Sequence, residues 1–350
     1  MIYPQTPAPL VDPLVIKGRF SYGRQVSFRK PHLTVDEQLD LLISRGLDVH
    51  DRDRALRLLR YVGYYRLAGY VYPFRIPLPE GRRFISSRAH ARSNAIAAGI
   101  SLSDVDALRL FDTDLRLMVL EALADIEIAL GAVLANVIAE HDIYGHLDRG
   151  FFDAREVSRR RTGSELDEFD RWLDRYQHMA YQARHEQYAI HHMQAYGPPY
   201  PIWIAVQFMD FGSVTRLISM LRDEHQRSLA KSFGIRGGSL LSAFGKNLNY
   251  LRNMAAHNNR LWNRTLTYSV RKFKPPQVEP VLQHAATHEP RDKIYVPLAI
   301  MAYLVRQIDP TPTWPARLRH LVRDFPTANG LSPESDMGFP EGWAQFDLWN

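Results

Sequence analysis

Apolar residues recur with the period of an α-helix between Leu108 and Ala139, in the longest apolar pattern of the chain. The spacings predict one or two long helices with a face buried at the centre of a core. Charged residues interrupt this pattern, and a bilayer-spanning helix tolerates such charges poorly near its middle. We therefore predict a core helix and no transmembrane helix. The residues of the buried face are Leu115, Met118, Val119, Ala122, Ile126, Leu130 and Val133.

Capping and breaking signals place further helices on both sides of this one. Thr34 and Glu37 form a capping-box pattern that begins a first helix, and Gly46 ends it. The segment "IPLPEGRR" and the serines after it are typical of a loop. Strand-like alternation is nearly absent, so we predict an all-α fold. The remaining helices are predicted at residues 53–70, 164–196, 202–222, 226–233, 239–262, 294–308 and 315–324.

The chain divides into an N-terminal arm and a helical domain. Residues 1–29 carry several prolines and are predicted to be extended, without the basic and apolar regions of a secretory signal. The helical domain is expected at residues 30–350, with a core at about residues 105–265 and a C-terminal helical extension at residues 290–350. The chain has no cysteine and hence no disulfide or thiolate zinc site, which suits a cytoplasmic protein.

The basic residues are very unevenly divided. The formal net charge is +6, and the chain has 37 arginines but 7 lysines. The planar guanidinium of arginine suits phosphate and can stack on bases, which favours a nucleic-acid partner. The alternative is that richness in arginine and alanine reflects a GC-rich genome. A mild net charge does not decide between these interpretations.

The stretch "NYLRNMAAHNNRLWNR", residues 249–264, combines a buried face with a polar one. The predicted helix at residues 239–262 has one apolar stripe, consisting of Leu241, Phe244, Leu248, Leu251, Ala255 and Trp262. A second face presents Asn249, Asn253, His257, Arg260 and Arg264, with Arg252 beside it. An imidazole transfers protons near neutral pH, and a guanidinium stabilises charge on phosphate oxygens. This set is therefore suited to acid–base chemistry on a phosphodiester.

The spacing of Arg252 and His257 is not informative by itself. Five pairs match R-x4-6-H, as at Arg45 and His50, while chance gives about four in a chain of this composition. The pair at Arg252 differs because it lies on a strongly amphipathic helix, with Asn253 adjacent. The alternative interpretation is an ordinary hydrogen-bonded or solvated helix surface.

"RNMAAHNNRLWNR" resembles the signature of the Abi family of bacterial abortive-infection proteins, of the AbiD/AbiF type, within the HEPN superfamily of helical ribonucleases. The resemblance covers roughly residues 30–350. Further segments resemble family blocks in the expected order: "KPHLTVDEQLDLLISRGLDV", "LRYVGYYRLAGYVYPFR", "FDTDLRLMVLEALADIEIAL", "YPIWIAVQFMDFGSVTRLISML" and "MGFPEGWAQFDLW".

The resemblance implies a HEPN-like helical core and a metal-independent endoribonuclease toxin of phage defence. Its catalytic residues would be Arg252 and His257, with Asn253 adjacent. Relatives cut RNA by attack of the 2′-hydroxyl on the neighbouring phosphate, without metal or cofactor, and some are restrained by a small noncoding RNA. Two alternatives remain open: a noncatalytic RNA-binding or scaffold protein of the same fold, and a nucleotide-modifying toxin.

Two positions depart from the family pattern. The chain has Gly131 where relatives often carry an arginine, and no arginine lies four to six residues ahead of the matching His141. It also has Gln207 where relatives often have a glutamate. Because related ribonucleases are thought to pair two motifs, we expect a twofold homodimer that brings two copies of Arg252 and His257 into one cleft.

Other clusters support weaker hypotheses. Arg260, Arg264 and the run Arg159, Arg160 and Arg161 are predicted to hold RNA phosphates, the run beside Tyr176, Tyr181 and Tyr188. A solvated face is the alternative for the run. The histidines at 178, 185 and 192 and the pair at 284 and 288 lack the pattern of a metal site.

Overall fold

The computed structural model describes residues 31–79 and 92–350, so the predicted arm at residues 1–29 lies outside the described residues. A single helix, α4 (Leu102–Ala139), runs through the molecule for 38 residues, or about 57 Å at 1.5 Å per residue. Ser101 begins it with a capping box to Asp104. The residues predicted to form its buried face lie in the core or pack directly against it, which confirms the central helix.

The N-terminal helices precede α4 and pack beside it. Helix α1 (Val35–Ser44) has the predicted capping box, in which Thr34 and Glu37 bond reciprocally. The single helix predicted at residues 53–70 is wrong: the chain forms α2 (Arg52–Val62) and α3 (Tyr64–Val71). Gly63 separates them at φ 86°, a conformation that glycine adopts without steric cost.

A small antiparallel sheet occupies part of the region predicted to be a loop. Strand β1 (Arg75–Pro77) pairs with β2 (Arg92–Ile96), and Arg75 lies opposite Ile96. Ile96 is buried and its N–H donates to the carbonyl of Arg45 at 2.7 Å. Such short strands carry little alternation, so the sequence did not indicate them.

Two predicted helices in the middle of the chain are each interrupted. Residues 164–196 form α6 (Glu168–Gln182) and α7 (Gln187–Ala195), joined by the 3-10 turn Ala183–His185, after the short α5 (Ala154–Val157). Residues 202–222 form α8 (Ile202–Phe208) and α9 (Phe211–Met220). Asp210 caps α9 after the second break and accepts from Ser213 N–H, whereas Asp167 caps the start of α6 and accepts from Asp170 N–H.

Helix α10 (Asp223–Lys231) leads to α11 (Gly238–Ala256), whose apolar stripe is buried as predicted. The helix ends six residues before the predicted end at Trp262. Asn258 adopts a left-handed conformation with φ 55°, and Asn259 N–H donates to the carbonyl of Met254 at 2.9 Å. This is a Schellman ending, in which an asparagine takes the place that glycine usually fills.

The C-terminal helices complete the core. They are α12 (His284–Thr287), α13 (Tyr295–Ile308) and α14 (Trp314–Arg323). Residues from Tyr295 to Leu304 are all fully buried, and α13 packs against α4 and α11. The helices dominate the described residues, and the all-α prediction is confirmed.

Candidate functional site

Arg252 and Asn253 lie in the last two turns of α11 and line a pocket of about 300 Å³, which we call the Arg252 pocket. The first turn of α9 forms another wall, with Asp210 as its cap. The amino end of a helix carries partial positive charge, which favours anions. The remaining lining residues are Trp172, Arg175, Phe211, Gly212, Ser213, Arg216 and Asn249.

Some charged side chains in this pocket have hydrogen-bond partners among the described residues and one does not. Arg175 Nε donates to Asp210 at 2.9 Å, and Asp210 also accepts from Ser213 N–H at 2.7 Å. Burial opposes ionisation of Asp210, but the hydrogen bonds from Arg175 and Ser213 prevail and lower its pKa. Arg252, by contrast, has no hydrogen bond or ion pair with any residue in the described ranges. Its guanidinium is therefore available to an anion.

A carboxylate on α4 lies close enough to Arg252 for the two charges to interact. Burial raises the pKa of Glu127, the positive charge of Arg252 opposes this shift, and the negative charge of Asp210 adds to it. Sequence reasoning did not select Glu127, because its position in a helical apolar pattern gives no sign of the distant arginine. Only the packing of α4 against α11 brings the two together.

His257 follows the last residue of α11 and does not line the Arg252 pocket. Its side chain is exposed and bonds to no other described residue. The next residue is held in place, since Arg66 donates to the carbonyl of Asn258 at 2.6 Å. The turn thus fixes the backbone at His257 and leaves the imidazole free.

The segment after this turn is anchored to the interior by Asp112 on α4. Its carboxylate accepts from the N–H groups of Leu261 and Trp262, at 2.9 and 3.0 Å, and from the hydroxyl of Tyr70 at 2.7 Å. It also pairs with Arg116. Asp112 is fully buried, and these bonds use its acceptor capacity.

The expectation that Arg260 and Arg264 continue the helical polar line is wrong, because α11 ends at Ala256. Arg260 turns inward and donates to the carbonyl of Gly69. Burial lowers the pKa of Arg260, and the negative charge of Asp112 opposes that shift. Arg264 is half-buried and has no hydrogen bond from its side chain to the described residues. Arg260 is thus engaged within the protein, whereas Arg264 is not.

The run Arg159, Arg160 and Arg161 lines a second, larger space of about 560 Å³, which we call the arginine-run pocket. This pocket adjoins the Arg252 pocket and shares four lining residues with it: Gly212, Arg216, Asn249 and Asn253. The structure therefore brings the arginine run together with Arg252 and Asn253 in one continuous groove, although about 90 residues separate them in the sequence.

The aromatic residues of this pocket are not those predicted. Tyr176 is buried against Trp172, and Tyr181 stacks with Arg184; neither they nor Tyr188 line the pocket. Tyr250 and Tyr268 line it instead. No sequence pattern indicated this, because Tyr268 follows the end of α11 in an irregular segment.

The histidine clusters do not converge. His178 bonds to Gln182 within its own helix, whereas His192 is buried against the carbonyl of Pro199. Burial lowers the pKa of His284 to about 4, and His288 contacts the carbonyl of Gly338. Across residues 31–79 and 92–350, no three metal-ligating side chains lie together.

No helix within the described ranges is both long and apolar enough to cross a membrane. Comparison with curated proteins and with solved structures gave no match. A family model does match: the model described as Abi-like protein covers residues 57–263, which include α4 and α11 together with Arg252, Asn253 and His257. The chain is therefore a member of the Abi-like protein family.

Proposed function

We propose that the protein is a metal-independent endoribonuclease with a HEPN-like core, acting as a toxin in phage defence under the control of a small noncoding RNA. Membership of the Abi-like family indicates abortive infection. The observation that carries the nuclease is Arg252, which faces the Arg252 pocket with no hydrogen bond to the described residues. Arg252 and Asn253 are suited to hold a phosphate there, beside the amino end of α9.

The proposed reaction is a transesterification within the RNA. The 2′-oxygen attacks the neighbouring phosphorus and the bond to the 5′-oxygen breaks, which leaves a cyclic phosphate and a 5′-hydroxyl. One proton leaves the 2′-hydroxyl and one is added to the 5′-oxygen, so protons balance. His257 acts as general acid or base in one of these transfers. Arg252 stabilises the phosphorane-like transition state and Asn253 orients the phosphate.

A homodimer would supply the second proton-transfer group. His257 is exposed, and a second copy placed on a twofold axis would bring another imidazole to the same cleft. Exposed apolar residues on α4 and α8 offer a surface for a second copy: Ile128, which follows Glu127, is 71% exposed and Trp203 is 47% exposed. Analytical ultracentrifugation should show a dimer. Mixing the His257→Ala protein with wild type should depress activity beyond simple dilution, and a fully active monomer would contradict this assembly.

The central test compares His257→Ala with a matched control. His50 follows Arg45 at the same spacing, is exposed and lies 3.3 Å from the carboxylate of Asp48. We expect His257→Ala to relieve toxicity and slow RNA cleavage by about a hundredfold or more, while His50→Ala behaves as wild type. Growth and RNA integrity are scored after expression, and purified protein is assayed with EDTA. Loss of activity in EDTA, or wild-type cleavage by His257→Ala, would overturn the mechanism.

One observation favours a second candidate, a noncatalytic RNA-binding protein of the same fold. Arg252 and Asn253 line the groove, but His257 lines neither pocket. A groove that holds phosphate without an imidazole would bind RNA and leave it intact. Tight binding of RNA without cleavage by wild type, at concentrations where the dimer forms, supports this candidate.

A further inference from the structure

We propose that the arginine-run pocket binds one unstacked nucleotide of a single-stranded RNA, with its base on Tyr268 and its phosphate among the arginines. The inference rests on the proposed function in one respect, that the ligand is the RNA held at Arg252. The pocket volume of about 560 Å³ lies within the range of sites for small ligands, roughly 300–1,000 Å³.

The charge of the pocket is far from balanced. Two carboxylates face six cationic side chains, which are Arg159, Arg160, Arg161, Arg171, Arg216 and Lys246. Glu168 is shared between Arg171 and Arg216, and Glu156 pairs with Arg159 at 2.9 Å. The other three cations form no ion pair with residues in the described ranges. A phosphate would supply the missing negative charge.

Arg216 shows the consequence of this excess. Burial lowers the pKa of its guanidinium, and the carboxylate of Glu168 opposes that shift. The charges of three neighbouring arginines add to the effect of burial; they are Arg161, Arg171 and Arg175. Since Arg216 lines both pockets, it lies where two neighbouring phosphates of one strand would pass.

Tyr268 is held by its backbone, and its ring lies at a tilt against that of Tyr250, with the centroids 6.3 Å apart. The buried Asn247 donates to the Tyr268 carbonyl at 2.8 Å, and the hydroxyl of Tyr250 lies 3.0 Å from that of Thr267. The Tyr268 side chain is nevertheless 47% exposed. A fixed aromatic ring beside cations is the arrangement on which single-stranded nucleic acids stack their bases.

Asn249 stands at the junction of the two pockets. Its amide has no hydrogen bond to the described residues, and it lies against Gly212, where an added Cβ would meet it at 3.5 Å. A free amide both donates and accepts, so it can bond to a base edge or to a 2′-hydroxyl. The groove therefore offers an aromatic surface for a base, cationic side chains for phosphates and a polar contact beside them, as one strand would need.

The test measures binding separately from cleavage. A fluorescent eight-nucleotide RNA with 2′-O-methyl groups cannot be cut, and its affinity is measured by anisotropy. We expect Tyr268→Ala to weaken binding by about tenfold and Tyr268→Phe to bind as wild type, since each stacked base contributes on this scale. Tyr181→Ala is the matched control, because Tyr181 is 63% exposed and lies outside the pocket. Unchanged affinity in Tyr268→Ala would overturn the proposal.

An abasic scan locates the contact along the strand. Removal of the base at one position of the RNA should weaken its binding to wild type, but should not weaken its binding to Tyr268→Ala any further. Equal losses of affinity for both proteins would contradict a stacked base. Arg216→Gln should reduce the slope of log affinity against log salt concentration by about one. Arg227→Gln on α10 should leave this slope unchanged. Thermal melting checks that each variant is folded.

The outcomes separate this inference from the nuclease. Binding that depends on Tyr268 without any cleavage of unmodified RNA overturns the nuclease and supports the pocket. If Tyr268→Ala cleaves unmodified RNA at the wild-type rate and binds with unchanged affinity, the nuclease is supported and the pocket proposal is overturned. Competition by ATP as strong as by the RNA itself would make the pocket a site for free nucleotides and overturn the strand proposal.

Discussion

Among the arginine–carboxylate pairs that involve α4, two differ clearly in how much of their hydrogen-bonding capacity is used. Asp112 and Arg116 lie one turn apart and are at most 5% exposed. Asp112 accepts from three further groups, and Arg116 also donates to Thr113 at 2.8 Å. Glu127 and Arg252 influence each other through their charges, yet Arg252 has no hydrogen bond to the described residues.

The difference separates a structural contact from a candidate site. A buried charge pair whose bonds are complete has nothing left to offer a ligand, and removal of one member leaves an uncompensated charge. An arginine that faces a pocket without a hydrogen bond can bind an anion, and its loss breaks no hydrogen bond within the described residues. The first pair should therefore control folding and the second should control function.

Asp112→Ala should produce the largest change in stability. It leaves Arg116 buried and removes the acceptor of the Leu261 and Trp262 amides, so we expect a loss of about 3–5 kcal/mol in the free energy of unfolding. Urea denaturation measures it. Asp114→Ala is the control, because Asp114 is exposed two residues further along α4. Equal stability of the two variants would remove the distinction between the pairs.

Arg252→Ala should change function and leave stability almost unaltered. We expect cleavage to slow by about a hundredfold or more, since a group that stabilises developing charge is lost. The free energy of unfolding should change by less than about 0.5 kcal/mol. Arg57 on α2 is the control, because it is exposed and also has no hydrogen bond in the described ranges. A strongly destabilised Arg252→Ala protein would show that this arginine is structural.

Glu127→Gln should have the smallest effect, and that effect should depend on pH. Burial raises the pKa of Glu127 above its ordinary value of 4.5, so the folded state binds the proton more tightly than the unfolded chain does. The contribution of Glu127 to the stability of wild type therefore falls as pH rises from 4.5 through the raised pKa. Melting temperatures at pH 4 to 8 should show no gain for the variant at the lowest pH and a small gain at neutral pH. A variant less stable than wild type at pH 7 contradicts this.

Much of the fold was predictable because it rests on local signals. The period of α4, the capping box at Thr34 and the buried stripe of α11 each lie within one segment of sequence. The boundaries that were wrong depended on single residues. Asp210 capped a new helix inside a segment predicted to be continuous, Asp167 began α6 later than predicted, and Asn258 ended α11 early.

The candidate site was predictable only in part. Arg252 and Asn253 were selected from the sequence, and the structure places both in the groove. Arg260 was selected for the same helical spacing, but it bonds to Gly69 once the helix has ended. Spacing in the sequence gives the direction of a side chain only as far as the helix continues.

Period and residue type are local properties, so the helical class, the buried faces and the chemistry available at residues 249–264 follow from the sequence. Which groups share a pocket depends on how the helices pack. The groove combines α6, α9, α11 and the arginine run with Tyr268; α9 and α11 pack against α4, and α6 packs against α9. Distances between remote segments depend on that packing, which no local pattern specifies.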